Sequence, residues 1–125
     1  MRRFDIRDVL AVFAGGAVGT AARAGLVELA GTGPGQWPWA TFAANVAGAF
    51  LLGWIAARLP VSPVRRLALG TGLCGGLTTF STLQVEVVGM LDGRHFGLAA
   101  GYLAASLVAG LAAAALGGAL VRVRR

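Results

Sequence analysis

The sequence predicts an all-α protein that crosses a membrane four times, and three observations carry that prediction. Of 125 residues, 57% are hydrophobic and only 13% charged, with a mean hydropathy of +0.75, too apolar for a soluble domain of this size. Four apolar runs, at roughly 9–29, 39–59, 67–91 and 96–121, each provide the about 20 residues needed to cross a hydrocarbon core of about 30 Å. The arginines gather at the ends of these runs, where membrane helices carry them. Little chain is left over, so a single domain over residues 1–125 is expected.

The net charge of +6 and pI near 11.6 are explained by these flanking arginines, and no helix is left free to read a nucleic-acid groove. No nucleic-acid partner is expected; the lipid bilayer is. With four spans, one side carries Arg2, Arg3, Arg7, Arg58, Arg65, Arg66, Arg122, Arg124 and Arg125, the other Arg94 alone. Nine against one places both termini in the cytoplasm of a multi-pass protein of the cell membrane. Cys74, the single cysteine, excludes an intrachain disulfide and reads as a small apolar residue within a helix. The first run is longer than a signal-peptide core and reads as a retained helix.

In the first helix Gly15 and Gly19 form a small-xxx-small face that lets two backbones approach. Arg23 follows one turn later. Two roles are open to it: snorkelling to the outer interface, or facing the protein interior, paired with carbonyls or an anion. Trp37 and Trp39 open the second helix as interfacial belt residues. Within that helix Thr41, Asn45 and Gly48 share one face. The Asn45 amide needs a partner in hydrocarbon, either a neighbouring helix or a permeating ion.

The third run holds Gly72-Leu-Cys-Gly-Gly-Leu-Thr-Thr-Phe-Ser-Thr82, then Glu86. Gly72 and Gly76 could serve packing, and hydroxyls can bond back to i−4 carbonyls. Packing leaves two adjacent glycines before Thr78-Thr79-Phe80-Ser81-Thr82 unexplained, so a helix break is expected here. Irregular backbone at membrane depth is tolerated where it lines a polar cavity, and its freed carbonyls can bind ions. The fourth helix is rich in Gly and Ala, with Tyr102 and Ser106 one turn apart as a possible polar stripe or as packing residues. His95 reads as a solvated residue of the turn at 92–95. Five carboxylates, three of them (Asp5, Asp8, Asp92) outside the membrane, and no nucleophile–base set or phosphate-cradling loop leave nothing for an enzyme.

These motifs in this order, Gly15-Gly16-x-x-Gly19-x-x-x-Arg23, Thr41-x-x-x-Asn45-x-x-Gly48, Gly75-Gly76-x-Thr78-Thr79-Phe80-Ser81-Thr82 and Glu86, resemble the Fluc (CrcB) family of fluoride channels over essentially the whole chain. The resemblance implies a fluoride-selective channel subunit that passively exports cytoplasmic fluoride and so reduces its toxicity. It implies antiparallel dimers of the dual-topology type with two pathways. It implies a structural sodium ion, not transported, held by the carbonyls of Gly75 and Thr78 at the break in the third helix. Phe80 corresponds to a pathway phenylalanine, Asn45 to an amide donor, and Thr41, Ser81, Thr82, Tyr102 and Ser106 to lining groups; Arg23 and Glu86 are carried over as structural or electrostatic residues. Two stretches depart from the family: Leu83-Gln84 stands where a second pathway phenylalanine and often a serine are expected, and Gly110-Leu-Ala-Ala-Ala-Ala where hydroxyls are common.

Two other classes fit four short helices. A small multidrug-type exporter needs a carboxylate deep in the first helix, but Glu28 lies at its end and Arg23 in the same helix. A non-transporting membrane assembly protein leaves the segment after Gly76 unexplained. The arginine asymmetry adds one expectation. A dual-topology homodimer needs one chain to insert both ways, and nine against one opposes this. An oppositely oriented paralogous partner, one half of a two-gene channel, is therefore expected.

Overall fold

The computed structural model describes residues 3, 5–31, 33, 35–58 and 62–123. Arg2, Arg124 and Arg125 of the charge count, and the last residue of the second expected span, lie outside them. The described chain is all-helical. Helix α1 spans Ile6–Leu29, α2 Trp39–Ala57 and α6 Phe96–Val123. At 1.5 Å per residue these are about 36, 28 and 42 Å long, and all three are long and apolar enough to cross a membrane. Between α2 and α6 the third apolar run is built from short pieces: α3 (Pro63–Arg66), a π-helical stretch Leu67–Cys74, α4 (Gly75–Leu77) and α5 (Phe80–Asp92).

Helix α1 starts at Ile6, three residues ahead of the expected span, because Asp5 and Asp8 close its end: the Asp5 amide donates to Asp8 Oδ2 at 3.1 Å. Pro63 stands in the first turn of α3 and Ser62 Oγ accepts from the Arg65 amide, so the third run begins with a capped turn. Thr78 and Thr79 are extended, with φ/ψ of −81°/150° and −148°/121°. Thr79 then caps α5, its Oγ1 accepting from the Thr82 amide at 3.2 Å.

The helices pair through glycine. Helix α1 lies along the π-helical stretch and α4, and α2 along α6. A Cβ on Gly15 would strike the Ala68 carbonyl, one on Gly19 the Leu73 carbonyl, one on Gly72 the Val12 carbonyl and one on Gly76 the Gly16 carbonyl. The two small-residue seams thus interlock with each other, backbone against backbone. In the same way Gly53 meets the Ala114 carbonyl and Gly117 that of Phe50. In lipid such close van der Waals packing holds helices together, because burying apolar side chains gains little there.

Candidate functional site

Two polar nodes form where α2 faces the third run. The first is at the extended residues. Asn45, on α2, meets the Thr79 backbone at two points: Oδ1 accepts from the Thr79 amide at 2.7 Å and Nδ2 donates to the Thr79 carbonyl at 3.2 Å. An amide donor can face only the oxygen, so this pairing fixes the orientation of the Asn45 side chain. Thr79 Oγ1 also donates to Thr82 Oγ1 at 3.0 Å and lies 3.4 Å from Ser81 Oγ. On the other side, Thr78 donates both its amide and its hydroxyl to the Cys74 carbonyl, with its methyl seated where Gly48 has no side chain. Arg23 reaches in from α1, Nε donating to the Gly76 carbonyl at 3.2 Å. Arg23 is half-buried there and pairs with a carbonyl of the third run.

The second node is Glu86, where three helices meet. Thr41 Oγ1 donates to Oε1 at 2.5 Å and Tyr102 Oη to Oε2 at 2.7 Å. Thr41 and Tyr102 are buried, so the carboxylate is satisfied by hydroxyls drawn from α2 and α6. The Tyr102 ring packs edge-on against Trp37, with centroids 5.4 Å apart. Trp37 therefore turns inward, whereas Trp39 is 62% exposed and free to act as an interfacial residue. Leu83 is buried with Met90, Ala99 and Tyr102 inside the bundle, whereas Phe80 is 73% exposed.

A cavity of 540 Å³ reaches Thr41, Thr82 and Glu86 from a rim that includes Gln36 and His95. A second, of 570 Å³, reaches Gly48, Thr71, Gly75 and Thr78 from the Arg66 end. Phe80 and Ser81 are exposed and line neither. Ser106 Oγ is buried without a hydrogen-bond partner among the described residues. The structure thus gathers Thr41, Glu86 and Tyr102 into one node and Asn45, Ser81 and Thr82 around Thr79 in another; Phe80 joins neither.

Sequence reasoning does not single out Thr79 as a site residue, although it organises the first node. A cue is present: a hydroxyl three residues before Thr82, after paired glycines and ahead of an apolar run, is a helix N-cap pattern. No cue joins Glu86 to Thr41, 45 residues away.

Comparison with known proteins places the chain in a family. The profile of the family described as CrcB-like protein, Camphor Resistance (CrcB), matches residues 10–118. A protein of Mycolicibacterium paratuberculosis named fluoride-specific ion channel FluC 1 is 55% identical, over 98% of this chain and 96% of its own. A protein of the same name from Mycobacterium bovis is 54% identical over the same shares. The fluoride-specific ion channel FluC of Bordetella petrii is 46% identical over 88% of each chain. With a profile spanning most of the bundle and likeness running nearly end to end, the chain belongs to the CrcB-like protein family.

Proposed function

We propose that this membrane protein is one subunit of a fluoride-selective channel through which cytoplasmic fluoride leaves the cell passively. The observation that carries the reading is the non-helical pair Thr78–Thr79, ringed by hydroxyls within an apolar bundle whose relatives are named fluoride-specific ion channels. Here the third run acts as one interrupted membrane span, its irregular backbone sheltered by α1 and α2.

The route passes Thr41, Asn45, Phe80, Ser81, Thr82, Tyr102 and Ser106. Ser106 supports it most directly, since its buried hydroxyl lacks a partner among the described residues and a small anion supplies one. Thr41 and Tyr102 each have a single hydroxyl hydrogen, turned to Glu86, so fluoride takes a hydrogen bond from either only in exchange for the carboxylate. Asn45 keeps one Nδ2 hydrogen beyond the one given to Thr79. The edge of Phe80 carries partial positive charge and faces the anion without trapping it. Its exposure in a single chain fits a pathway completed by a second subunit.

The residues also fit a structural cation. In a continuous helix the Gly75 carbonyl would accept from the Thr79 amide and the Thr78 carbonyl from the Thr82 amide. Both amides are engaged elsewhere, by Asn45 Oδ1 and Thr79 Oγ1, so two hard oxygens are left without their helical donors at residues that line the second cavity, and sodium held there would add positive charge at the centre of the assembly. One chain supplies two such carbonyls, fewer than the about six oxygens a hard cation takes. An antiparallel dimer of the dual-topology type doubles them.

Purified protein in liposomes tests the reading. Fluoride efflux should be present and chloride efflux absent, and Asn45→Ala or Phe80→Ile should depress fluoride flux at least about ten-fold, as loss of a hydrogen bond or contact of about 1.4 kcal/mol would. Mutants that carry fluoride at the wild-type rate would remove both residues from the route.

A further inference from the structure

We infer that Asn45 and Thr79 are positioning residues for the cation site: they hold the Gly75 and Thr78 carbonyls open by capturing the amides that would otherwise close on them. The inference rests on the sodium reading above and assigns the residues that make its ligands available.

Where a helix stops, its last four carbonyls lose their donors. Here those are the carbonyls of Gly75, Gly76, Leu77 and Thr78, whose helical donors would be the amides of residues 79 to 82. An interruption of two residues is easily undone, because Thr78 and Thr79 need only turn back to helical dihedrals for each amide to regain its carbonyl. Something must hold the Thr79 amide away. Asn45 does so with the geometry of a strand edge, accepting from the amide and donating to the carbonyl of one extended residue. Thr79 Oγ1 holds the Thr82 amide in turn. Arg23 occupies the Gly76 carbonyl, so the guanidinium is satisfied by a different oxygen from the two proposed ligands.

The Gly75 oxygen is therefore open only while Asn45 presents an acceptor. Asn45 faces Thr79 because Thr41, Ala44 and Gly48 bury the same stripe of α2, and Gly48 admits Thr78 to van der Waals contact. The cost of leaving carbonyls unpaired in an apolar bundle, several kcal/mol each in hydrocarbon, is what the cation offsets.

The test separates acceptor from bulk and reads sodium, not flux. Sodium is titrated into assembled protein in detergent against N-methyl-glucamine at constant ionic strength, and thermal unfolding is followed. The wild type should be stabilised by sodium. Asn45→Leu keeps the volume without an acceptor and should need about ten-fold more sodium for half the effect, the loss of about one hydrogen bond's worth of preference. Thr79→Ser retains the hydroxyl acceptor and should titrate close to wild type, whereas Thr79→Val should weaken sodium binding through Thr82. If Asn45→Leu does not assemble, the Thr79→Val and Thr79→Ser pair carries the same contrast. Sodium titrations of Asn45→Leu or Thr79→Val that match the wild type would overturn the inference and leave the sodium site standing. A wild type indifferent to sodium would overturn both.

Discussion

At the scale of single residues, Glu86 decides most. A carboxylate within an apolar bundle survives only with hydrogen-bond partners, and its two oxygens take one hydroxyl each from Thr41 and Tyr102. Because both donors serve the same charge, their losses should not add. Tyr102→Phe and Thr41→Val should each destabilise the bundle by about 1–3 kcal/mol, with a coupling above about 0.5 kcal/mol in the double mutant. Unfolding of the four proteins in a double-mutant cycle checks this, and additive costs would show that the carboxylate is not shared. Leu83 is the other informative position. It is 8% exposed and packed with Tyr102 and Met90, so Leu83→Phe should overpack this cluster and cost about 1–3 kcal/mol instead of creating a second pathway phenylalanine. A stabilised, faster Leu83→Phe channel would show that the ring turns outward.

Among elements, the pairing of α1 with the third run depends on bare backbone. A methyl on Gly19 would meet the Leu73 carbonyl and the Leu77 amide, neither of which can rotate away. Gly19→Ala should therefore split the α1 seam and abolish assembly or cost several kcal/mol, beyond the usual range of about 0.5–3 kcal/mol for a point mutation. Gly25, in the same helix, has nothing within 4 Å of the point where a methyl would stand. Gly25→Ala should be neutral or stabilise by up to about 1 kcal/mol through helix propensity. Side-by-side yield and melting temperature in detergent would distinguish the two, and equal behaviour would remove the seam as the reason for these glycines.

For the whole molecule, the proposed second subunit would meet the face around Gly75. Gly75 is exposed, with nothing within 4 Å of where its Cβ would stand, so a larger side chain there meets no resistance from its own fold. Gly75→Leu should fold as a subunit and fail to form dimers. A dimer of normal stability by size-exclusion light scattering would place the contact elsewhere. The arginine asymmetry bears on which partner that is. Expressed alone, the chain should insert with its termini on one side by accessibility labelling and give no fluoride efflux until an oppositely oriented paralogue is added. Active protein with termini on both sides in equal numbers would establish a dual-topology homodimer instead.

Much of this was legible in the chain itself. Length and hydropathy determined the apolar helices, since a bilayer demands about 20 apolar residues and an internally satisfied backbone wherever it is crossed. The local chemistry of Gly75-Gly76 and Thr78–Thr82 marked the stretch where the first node lies, because glycine weakens a helix and hydroxyls compete for its backbone. Tertiary structure alone decided the partners. Arg23 pairs with Gly76 at a separation of 53 residues, Asn45 with Thr79 at 34 and Thr41 with Glu86 at 45. No periodicity along one helix encodes such pairs; they exist because interlocked glycines bring α1 and α2 close to the third run, and a polar group in hydrocarbon bonds to whatever that closeness brings within reach.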